Sequence, residues 1–438
     1  MFLPEMILHC IRTLEQSGFE AYAVGGCVRD SLLGITPHDY DLCTNATPEE
    51  TAGIFADHTL VRSGEKHGTI GVVINKQVVE ITTFRTEGGY QDSRHPDWVR
   101  FVSNVEEDLA RRDFTVNAMA YHPDKGYIDP FGGQEDLKNK ILRTVGEPAA
   151  RFSEDALRIL RGVRFAVRFG LTPTDDTLQA MKTLAPTMDS LARERVFDEL
   201  CKLLPLVTAK DLEIFRDILV QVVPPLAPCV GFLQHNPHHI YDVYGHTAKV
   251  VEAVSKDPVL RWAALLHDCG KPACFTLDED GVGHFYGHAQ ISAQLANDYL
   301  LSMKSPTALR EQVVFLITHH MDILEPDKKQ IRRKMGAYTK EALLDLVLLQ
   351  FADQGKPQED SHLPAVMECM SQVLAEDACL TVKDLAIDGR DLLALGYSAG
   401  PDIGFCLHCL LERVQMEDLP NERQALLAAA QAFLTHPL

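Results

Sequence analysis

The 438-residue chain has no uninterrupted apolar run long enough to cross a bilayer, so no membrane partner is expected. Its first residues, MFLPEMILHCIRTLEQ, carry acids and no basic leader, so they read as a helix rather than a signal peptide. Eleven cysteines are scattered without paired spacing, which suits reduced thiols in the cytoplasm. The one CxxC, Cys406 and Cys409, has no second pair, and its apolar helical setting favours core packing over zinc. An excess of positive charge is also missing: 42 Lys and Arg face 62 Asp and Glu, for a net charge of −20. That balance counts against indiscriminate polyanion binding, and DNA is not an expected partner, although a local basic stripe still permits RNA. No internal repeat or low-complexity tract appears. What is present, 46% hydrophobic and 24% charged residues, is ordinary globular composition with room for about two to four domains.

The most informative stretch is Ala21–Thr44, AYAVGGCVRDSLLGITPHDYDLCT. In an extended strand, residues two apart share a face, which puts the carboxylates of Asp39 and Asp41 side by side. Two such groups repel unless a cation lies between them, and oxygen donors with open positions for phosphate suit Mg²⁺. Upstream, Gly25 and Gly26 follow the apolar run Ala21–Val24 and open a helical segment, Cys27–Leu33. Glycines at such a turn let a phosphate approach backbone N–H groups at a helix start. A phosphate cradle beside two metal-binding carboxylates reads as nucleotidyl transfer.

The string GGCVRD–LLG–DYD–T resembles the first motif of the class II tRNA nucleotidyltransferase and bacterial poly(A) polymerase superfamily, related to the polymerase-β type. The resemblance implies an α+β fold: a polymerase-β-like head with a small mixed sheet, then an all-α neck, an HD body and a tail. It implies nucleotide contacts at Gly25, Gly26 and Arg29. Thr69–Ile74 and Gln77–Phe84, separated by Asn75-Lys76, read as a hairpin. Val78, Glu80 and Thr82 share one face of its second strand, which should be largely buried. Glu80 is there either a solvated edge acid or, as the resemblance implies, the third acid of the metal site. Residues 85–105 lack periodicity. Relatives carry a flexible loop at this place, shaping the nucleotide pocket as the 3′ end grows, and its presence favours full CCA synthesis over addition of the two cytidines alone.

Arg111-Arg112-Asp113-Phe114-Thr115-Val116-Asn117-Ala118 resembles the family's second motif, implying that Asp113 and Asn117 hold the sugar and its neighbours while Arg112 faces triphosphate. Asp129-Pro130-Phe131-Gly132-Gly133 reads as a structural turn and hinge. From Phe152 the period becomes helical, with Ser153 as the predicted N-cap. Glu154 and Arg158, four apart, make a simple helix-stabilising ion pair on spacing alone. EDALRILRGVRF also matches the family's nucleotide-selecting EDxxR motif, which assigns Glu154, Asp155 and Arg158 to the base. A carboxylate accepts from an exocyclic amine and a guanidinium donates to a ring acceptor, so Asp155 and Arg158 together fit cytosine and adenine and reject uracil and guanine. Arg161, Arg164 and Arg168 continue a basic stripe that begins with Lys138, Lys140 and Arg143, with Arg161 assigned to nucleotide. Arg193–Leu200 resembles the family's last motif, taken as mainly helix-stabilising.

A boundary falls near Val220–His239, where prolines interrupt the period. Beyond it stand His246, His267-Asp268, His284, His288, His319, His320 and Asp353. RWAALLHDCGKP and LLQFADQGKP make this region resemble the HD metal-phosphohydrolase domain, with His246, His267, Asp268 and Asp353 as ligands of a divalent transition metal or Mg²⁺. A domain kept only for packing and tRNA contact is the alternative, and which of His288, His319 or His320 adds a ligand is left open. The tail resembles the segment that grips the tRNA elbow.

The expected divisions are 1–145 (catalytic head), 146–222 (neck with the selecting motif), 223–370 (HD domain) and 371–438 (tail). The expected activity is template-independent addition of CCA to the tRNA acceptor end from CTP and ATP, with Mg²⁺ and a possible HD phosphohydrolase activity. Poly(A) polymerase is the nearest alternative, but RSGEKHGTIGVVINKQVVEITTFR lacks the basic G-R/K-R/K-F string those enzymes share before the third carboxylate strand. An A-adding tRNA nucleotidyltransferase is the other.

Overall fold

The computed structural model describes residues 1–88, 98–235, 240–376 and 378–435. They fall into two compact units: Met1–Val207 with Ile214–Pro224, and Thr208–Glu213 with Pro225–Leu438. The division at Pro224 lies inside the proline-rich stretch where the sequence breaks period.

The first unit opens with α1 (Glu5–Gln16), which buries Ile7, Cys10, Ile11 and Leu14 along one face and stops before Gly18, whose φ is 89°. β1 (Ala21–Val24) is buried at every position and leads through Gly25 into α2 (Gly26–Leu32). β2 (Asp41–Thr44) is followed by α3 (Pro48–Ile54), where Thr47 and Glu50 close a capping box, a pattern readable in Thr47-Pro48-Glu49-Glu50. Next come β3 (Thr59–Val61), β4 (Thr69–Ile74) and β5 (Gln77–Thr83). β4 and β5 form the expected hairpin, and Asn75 and Lys76 both take positive φ, as a two-residue turn of this hand requires.

β6 (Arg85–Gly88) pairs with β7 (Trp98–Phe101) as a two-stranded ribbon inside the stretch read as irregular. Cross-strand hydrogen bonding supplies order there without a hydrophobic period. Residues 89–97, the centre of the expected loop, lie outside the described residues. α4 (Val105–Ala110), β8 (Ala120–His122), β9 (Gly126–Ile128) and α5 (Gly133–Lys138) complete the head region. The sheet runs β3-β4-β5-β2-β1-β8-β9. β2 and β5 are parallel and the remaining neighbours antiparallel, giving a mixed sheet. Tyr22, Val24, Cys43 and Phe84 pack with Leu109 and Ala118 in one hydrophobic core.

β10 (Ile141–Leu142) runs parallel to β11 (Thr172–Pro173). Between them α6 (Pro148–Glu154) ends at Asp155, whose φ and ψ are −146° and 104°, and α7 (Leu157–Phe169) follows. The helical run is therefore two helices. Glu147, with Pro148 behind it, caps the first, so Ser153 lies in its last turn and donates to Ala149 O instead of capping. α8 (Asp175–Leu184) and α9 (Arg193–Leu203) pack nearby, the latter tied to α7 by the buried Arg164–Glu199 ion pair. α10 (Ala209–Ile214) belongs, up to Glu213, to the second unit, and α11 (Arg216–Val222) closes the first.

The second unit is helical: α12 (Val243–Ala253), α13 (Pro258–Leu266), α14 (Lys271–Cys274), the short ribbon β12 (Thr276–Leu277) and β13 (Gly283–His284), then α15 (His288–Ser302). α16 (Thr307–His319), α17 (Lys328–Tyr338), α18 (Lys340–Gln354) and α19 (Leu363–Ala375) follow. α20 (Gly389–Ala394), α21 (Pro401–Gln415) and α22 (Arg423–Thr435) share a core in which Cys406 packs with Leu410 and Leu426. All eleven cysteines are free thiols. No helix is long and apolar enough to cross a membrane among the described residues.

Candidate functional sites in the head and the helical unit

The pairing register builds the first site. Val24 lies opposite Asp41, and Asp41 lies opposite Glu80, so the end of β1, the start of β2 and the middle of β5 stand at one level of the sheet. Register neighbours on adjacent strands point to the same face, which brings Asp41 and Glu80 together. Along β5 that face is open: Val78 and Glu80 are exposed, so the expectation of a largely buried strand holds only for Val79, Ile81 and Thr83 on the other face. Asp39 precedes the strand rather than lying in it, because pairing starts at Asp41. Desolvation raises the pKa of Asp41, and the neighbouring charges of Glu80 and Asp39 raise it further against the pull of Arg112. Asp41, held above the ordinary carboxylate range beside two further hard oxygen donors that face solvent, fits a site for a divalent cation.

Gly25 turns from β1 into α2 with φ 76° and ψ −123°, and a Cβ there would lie 2.7 Å from Arg112 Nη1. The glycine thus admits a guanidinium beside the cradle. Arg112 is held by Asp108, a fully buried carboxylate that also takes Arg111 Nε at 3.0 Å and Nη2 at 2.9 Å. The signal for Asp108 is its position three and four residues before the two arginines that follow α4.

A second chain of contacts joins four of the expected nucleotide residues. Arg29 pairs with Asp30 at 2.6 Å, donates to Asn117 Oδ1, and lies 4.3 Å over the Phe169 ring. Asn117 Nδ2 donates to Asp113 Oδ1 at 3.1 Å, and Arg161 donates to Asp113 Oδ2 through Nε at 3.0 Å and Nη2 at 2.8 Å. Burial opposes ionisation of Asp113, but Arg161, Asn117 and Arg158 overcome it and bring its pKa down to about 2.

Glu154, Asp155 and Arg158 sit at the break between α6 and α7. Arg158 pairs with Glu154, as the spacing predicts, and donates to Arg151 O at 3.0 Å. Asp155 instead pairs with Arg195 of α9 at 2.9 Å. Arg195 Nη1 is buried with no hydrogen-bond partner among the described residues. Arg195 thus does more than stabilise its own helix. Its 40-residue separation from Asp155 left no local pattern to reveal the contact.

The second site lies on the floor of a cleft of about 1370 Å³ in the helical unit. His246, His267, Asp268 and Asp353 bring their donor atoms within 4.8 Å of one another, and Asp268, His288 and His320 do likewise. The head carboxylates do not close to that spacing. His246 Nε2 is 2.8 Å from Asp353 Oδ1, and His267 Nε2 is 3.2 Å from Asp268 Oδ2 and 3.3 Å from Asp353 Oδ1. On the other side of Asp268, Oδ1 lies 3.3 Å from His288 Nε2 and 3.9 Å from His320 Nε2.

The tautomers follow from the backbone. His267, His288 and His320 each place Nδ1 at 2.7–2.8 Å from a carbonyl three residues earlier. A carbonyl only accepts, so Nδ1 carries the proton and each neutral ring turns the Nε2 lone pair into the cluster. The Nε2 atoms of His288 and His320 face each other at 3.2 Å. Lone pairs aimed at each other and at carboxylates repel unless a proton or a metal stands among them. In the metal-free cluster a proton does so: although burial works against it, Asp268 and Asp353 raise the His267 pKa to about 10, while burial and His267 hold His320 down at about 4. His267 Nε2 and Asp268 Oδ2 are buried without hydrogen-bond geometry to any described group, despite the 3.2 Å contact between them and the 2.7 Å approach of Lys271 Nζ to Asp268. Mixed imidazole and carboxylate donors with orphaned atoms fit a divalent metal, with the rings oriented by second hydrogen bonds. His288 and His320, left open by the sequence, are thus the histidines brought in. His319 turns away to Asp322 and Tyr338, and His284 pairs with Asp278.

Residues 21–143 match the poly A polymerase head domain, 170–209 a probable RNA- and SrmB-binding site of polymerase A, and 282–430 the putative tRNA nucleotidyltransferase domain 2. A Levilactobacillus brevis protein named as a CCA-adding enzyme is 34% identical over 432 residues, covering 97% of both chains. Its namesake from Lactobacillus helveticus is 44% identical over 429 residues, covering 97% of this chain and 96% of its own. The solved structure of the Bacillus stearothermophilus CCA-adding enzyme in complex with CTP superposes with a TM-score of 0.78 at 29% identity, over 99% of this chain and 98% of that one.

Proposed function

The chain belongs to the CCA-adding enzymes, and from that premise we propose that it builds the 3′-terminal CCA of tRNA from CTP and ATP without a nucleic-acid template. The observation that carries the reading is the level in the head sheet where the glycine turn, Asp41 and Glu80 meet across three strands. In each step the RNA 3′-hydroxyl gives up its proton to solvent, its oxygen bonds to the α-phosphorus, the α–β phosphoanhydride bond breaks, and pyrophosphate leaves. Asp39 and Asp41, with Glu80 beside them, are the residues that hold Mg²⁺, which when bound supplies Lewis acidity toward the phosphate.

Gly25, Gly26, Arg29 and Arg112 take the triphosphate. Asp113 and Asn117, fixed from either side by Arg161 and Arg29, hold the sugar, and Glu154, Asp155 and Arg158 read the base. Residues 1–145 serve as head, 146–222 as neck, 223–370 as HD body and 371–438 as the tail that meets the tRNA elbow. A tRNA substrate and reduced thiols both suit the cytoplasm. Replacement of Asp39 by Ala is expected to abolish incorporation of labelled CTP and ATP into tRNA while the circular dichroism spectrum and melting transition stay unchanged. Near-normal incorporation by a folded variant would remove the assignment.

A second activity is supported by the donor cluster of the helical unit: hydrolysis of a phosphate ester in the HD cleft. His246, His267, Asp268 and Asp353 hold the metal there, with His288 and His320 on the far oxygen of Asp268. Water adds to phosphorus, the ester P–O bond breaks, and the alcohol oxygen leaves with a proton.

A further inference from the structure

The rim of the same cleft carries an exposed aromatic ring outside the donor cluster. Tyr286 is 80% exposed, an unusual state for a large aromatic ring. It lies nearly parallel to the His284 ring, with centroids 5.4 Å apart and planes 8° apart. His284 is fixed in turn by Asp278 at 2.8 Å across the β12–β13 ribbon, so the lower ring of the stack is anchored. Gly287 follows in the left-handed region, φ 78°, and His288 then starts α15 with its Nε2 turned into the donor cluster. One residue of chain, Gly287, thus separates an open aromatic face from a member of the donor cluster. On other parts of the lining, Lys249 and Lys356 are exposed, each three residues beyond a cluster member, His246 and Asp353, and Lys249 pairs with Glu252 at 3.4 Å.

We infer that Tyr286, backed by His284, is the base platform of this cleft, and that its substrate is a nucleoside phosphate, free or at an RNA terminus. The inference rests on the phosphohydrolase reading above. Every base offers a π-face, and stacking on an exposed tyrosine discriminates a nucleotide from a bare phosphate ester without hydrogen-bond readout. Lys356 adds positive charge to the lining, whereas the charge of Lys249 is shared with Glu252. The volume admits a mononucleotide with room for chain beyond it.

Two measurements on the full-length protein test this. The first is the ratio of kcat/KM for adenosine 3′-monophosphate to that for ribose 5-phosphate, with Mn²⁺, Ni²⁺, Co²⁺ or Mg²⁺ supplied. The ratio is expected to fall about tenfold or more in Tyr286→Ala, mainly through KM, and to be kept in Tyr286→Phe, because one lost base stack is worth that much. The second is photolabelling with 8-azidoadenosine 3′-monophosphate, which is expected to mark the peptide containing residues 284–288 and to lose that mark in Tyr286→Ala. An oligoribonucleotide ending in adenosine 3′-phosphate replaces the free nucleotide in a parallel arm, and preference for either identifies the source. Hydrolysis of both esters with a ratio unmoved in Tyr286→Ala would overturn the platform and leave the hydrolase standing. Labelling at 284–288 without hydrolysis would keep the platform and remove the hydrolase. Neither hydrolysis nor labelling there would remove both.

Discussion

Asp155 and Arg195 form the contact on which base selection depends in this account. Asp155 sits in extended backbone at a helix break, and Arg195 holds one of its oxygens at 2.9 Å. A carboxylate that discriminates amino from carbonyl edges must be aimed, since a mismatched buried polar group is what rejects the wrong base. Asp155→Ala is expected to relax selection among the four nucleotides more than it weakens triphosphate binding. Arg195→Ala is expected to shift selectivity in the same direction, with KM for CTP and ATP changing little and Arg195→Lys restoring part of the effect. Misincorporation of UTP and GTP in single-turnover assays reads both, and full exclusion of UTP and GTP by Asp155→Ala would place the reader elsewhere. The sequence exposed Asp155 through its motif, whereas Arg195 lies 40 residues away with no periodic relation to it. Contacts of that kind are set by how helices pack.

At the scale of elements, the chain Asp30–Arg29–Asn117–Asp113–Arg161 ties α2, the turn before β8 and α7 into one hydrogen-bonded unit. Asp113 gives it a pH signature. Its folded pKa of about 2 lies below its ordinary 3.8, so ionisation contributes stability that is present above about pH 4 and lost as pH falls towards 2. The shift corresponds to roughly 2 kcal/mol. Asp113→Asn is therefore expected to be less stable than the native chain near neutrality, with the difference shrinking as pH falls below 4 in urea titrations. A difference independent of pH would rule out the ion pair as its cause.

Hairpin, capping box and the strand–glycine–helix turn were legible because each is written in adjacent residues. The β6–β7 ribbon and the α6–α7 break were not, since one is held by pairing between strands and the other is an extended residue, Asp155, inside a run of helical period, with α6 capped at Glu147 upstream of the expected Ser153. The motif strings located the acids of the head, but only the β2–β5 register brought Glu80 beside Asp41. In the helical unit the sequence supplied His246, His267, Asp268 and Asp353. The choice of His288 and His320 over His319 depends on ring orientation, which spacing does not encode.

On the scale of the whole molecule, the two sites make different demands on metal. The head offers carboxylates alone, and the helical cleft mixes imidazole with carboxylate. Oxygen donors favour Mg²⁺, and imidazole favours later transition metals. After removal of metals by a chelator, Mg²⁺ is expected to restore nucleotide addition, whereas ester hydrolysis is expected to return most strongly with Ni²⁺, Co²⁺ or Mn²⁺. A single metal profile for both activities would contradict the separation. The net charge of −20 adds a further constraint, because tRNA must be attracted by local basic surface against the field of the whole.

The central claim is most directly tested by incubating the protein with Mg²⁺ and a tRNA lacking its last three nucleotides, supplying CTP alone, ATP alone, and then both, and reading product length and terminal sequence. The account predicts two cytidines from CTP alone, no adenosine from ATP alone, and a complete CCA with both. Long adenosine tails would contradict it, as would adenosine added only to a tRNA already ending in CC.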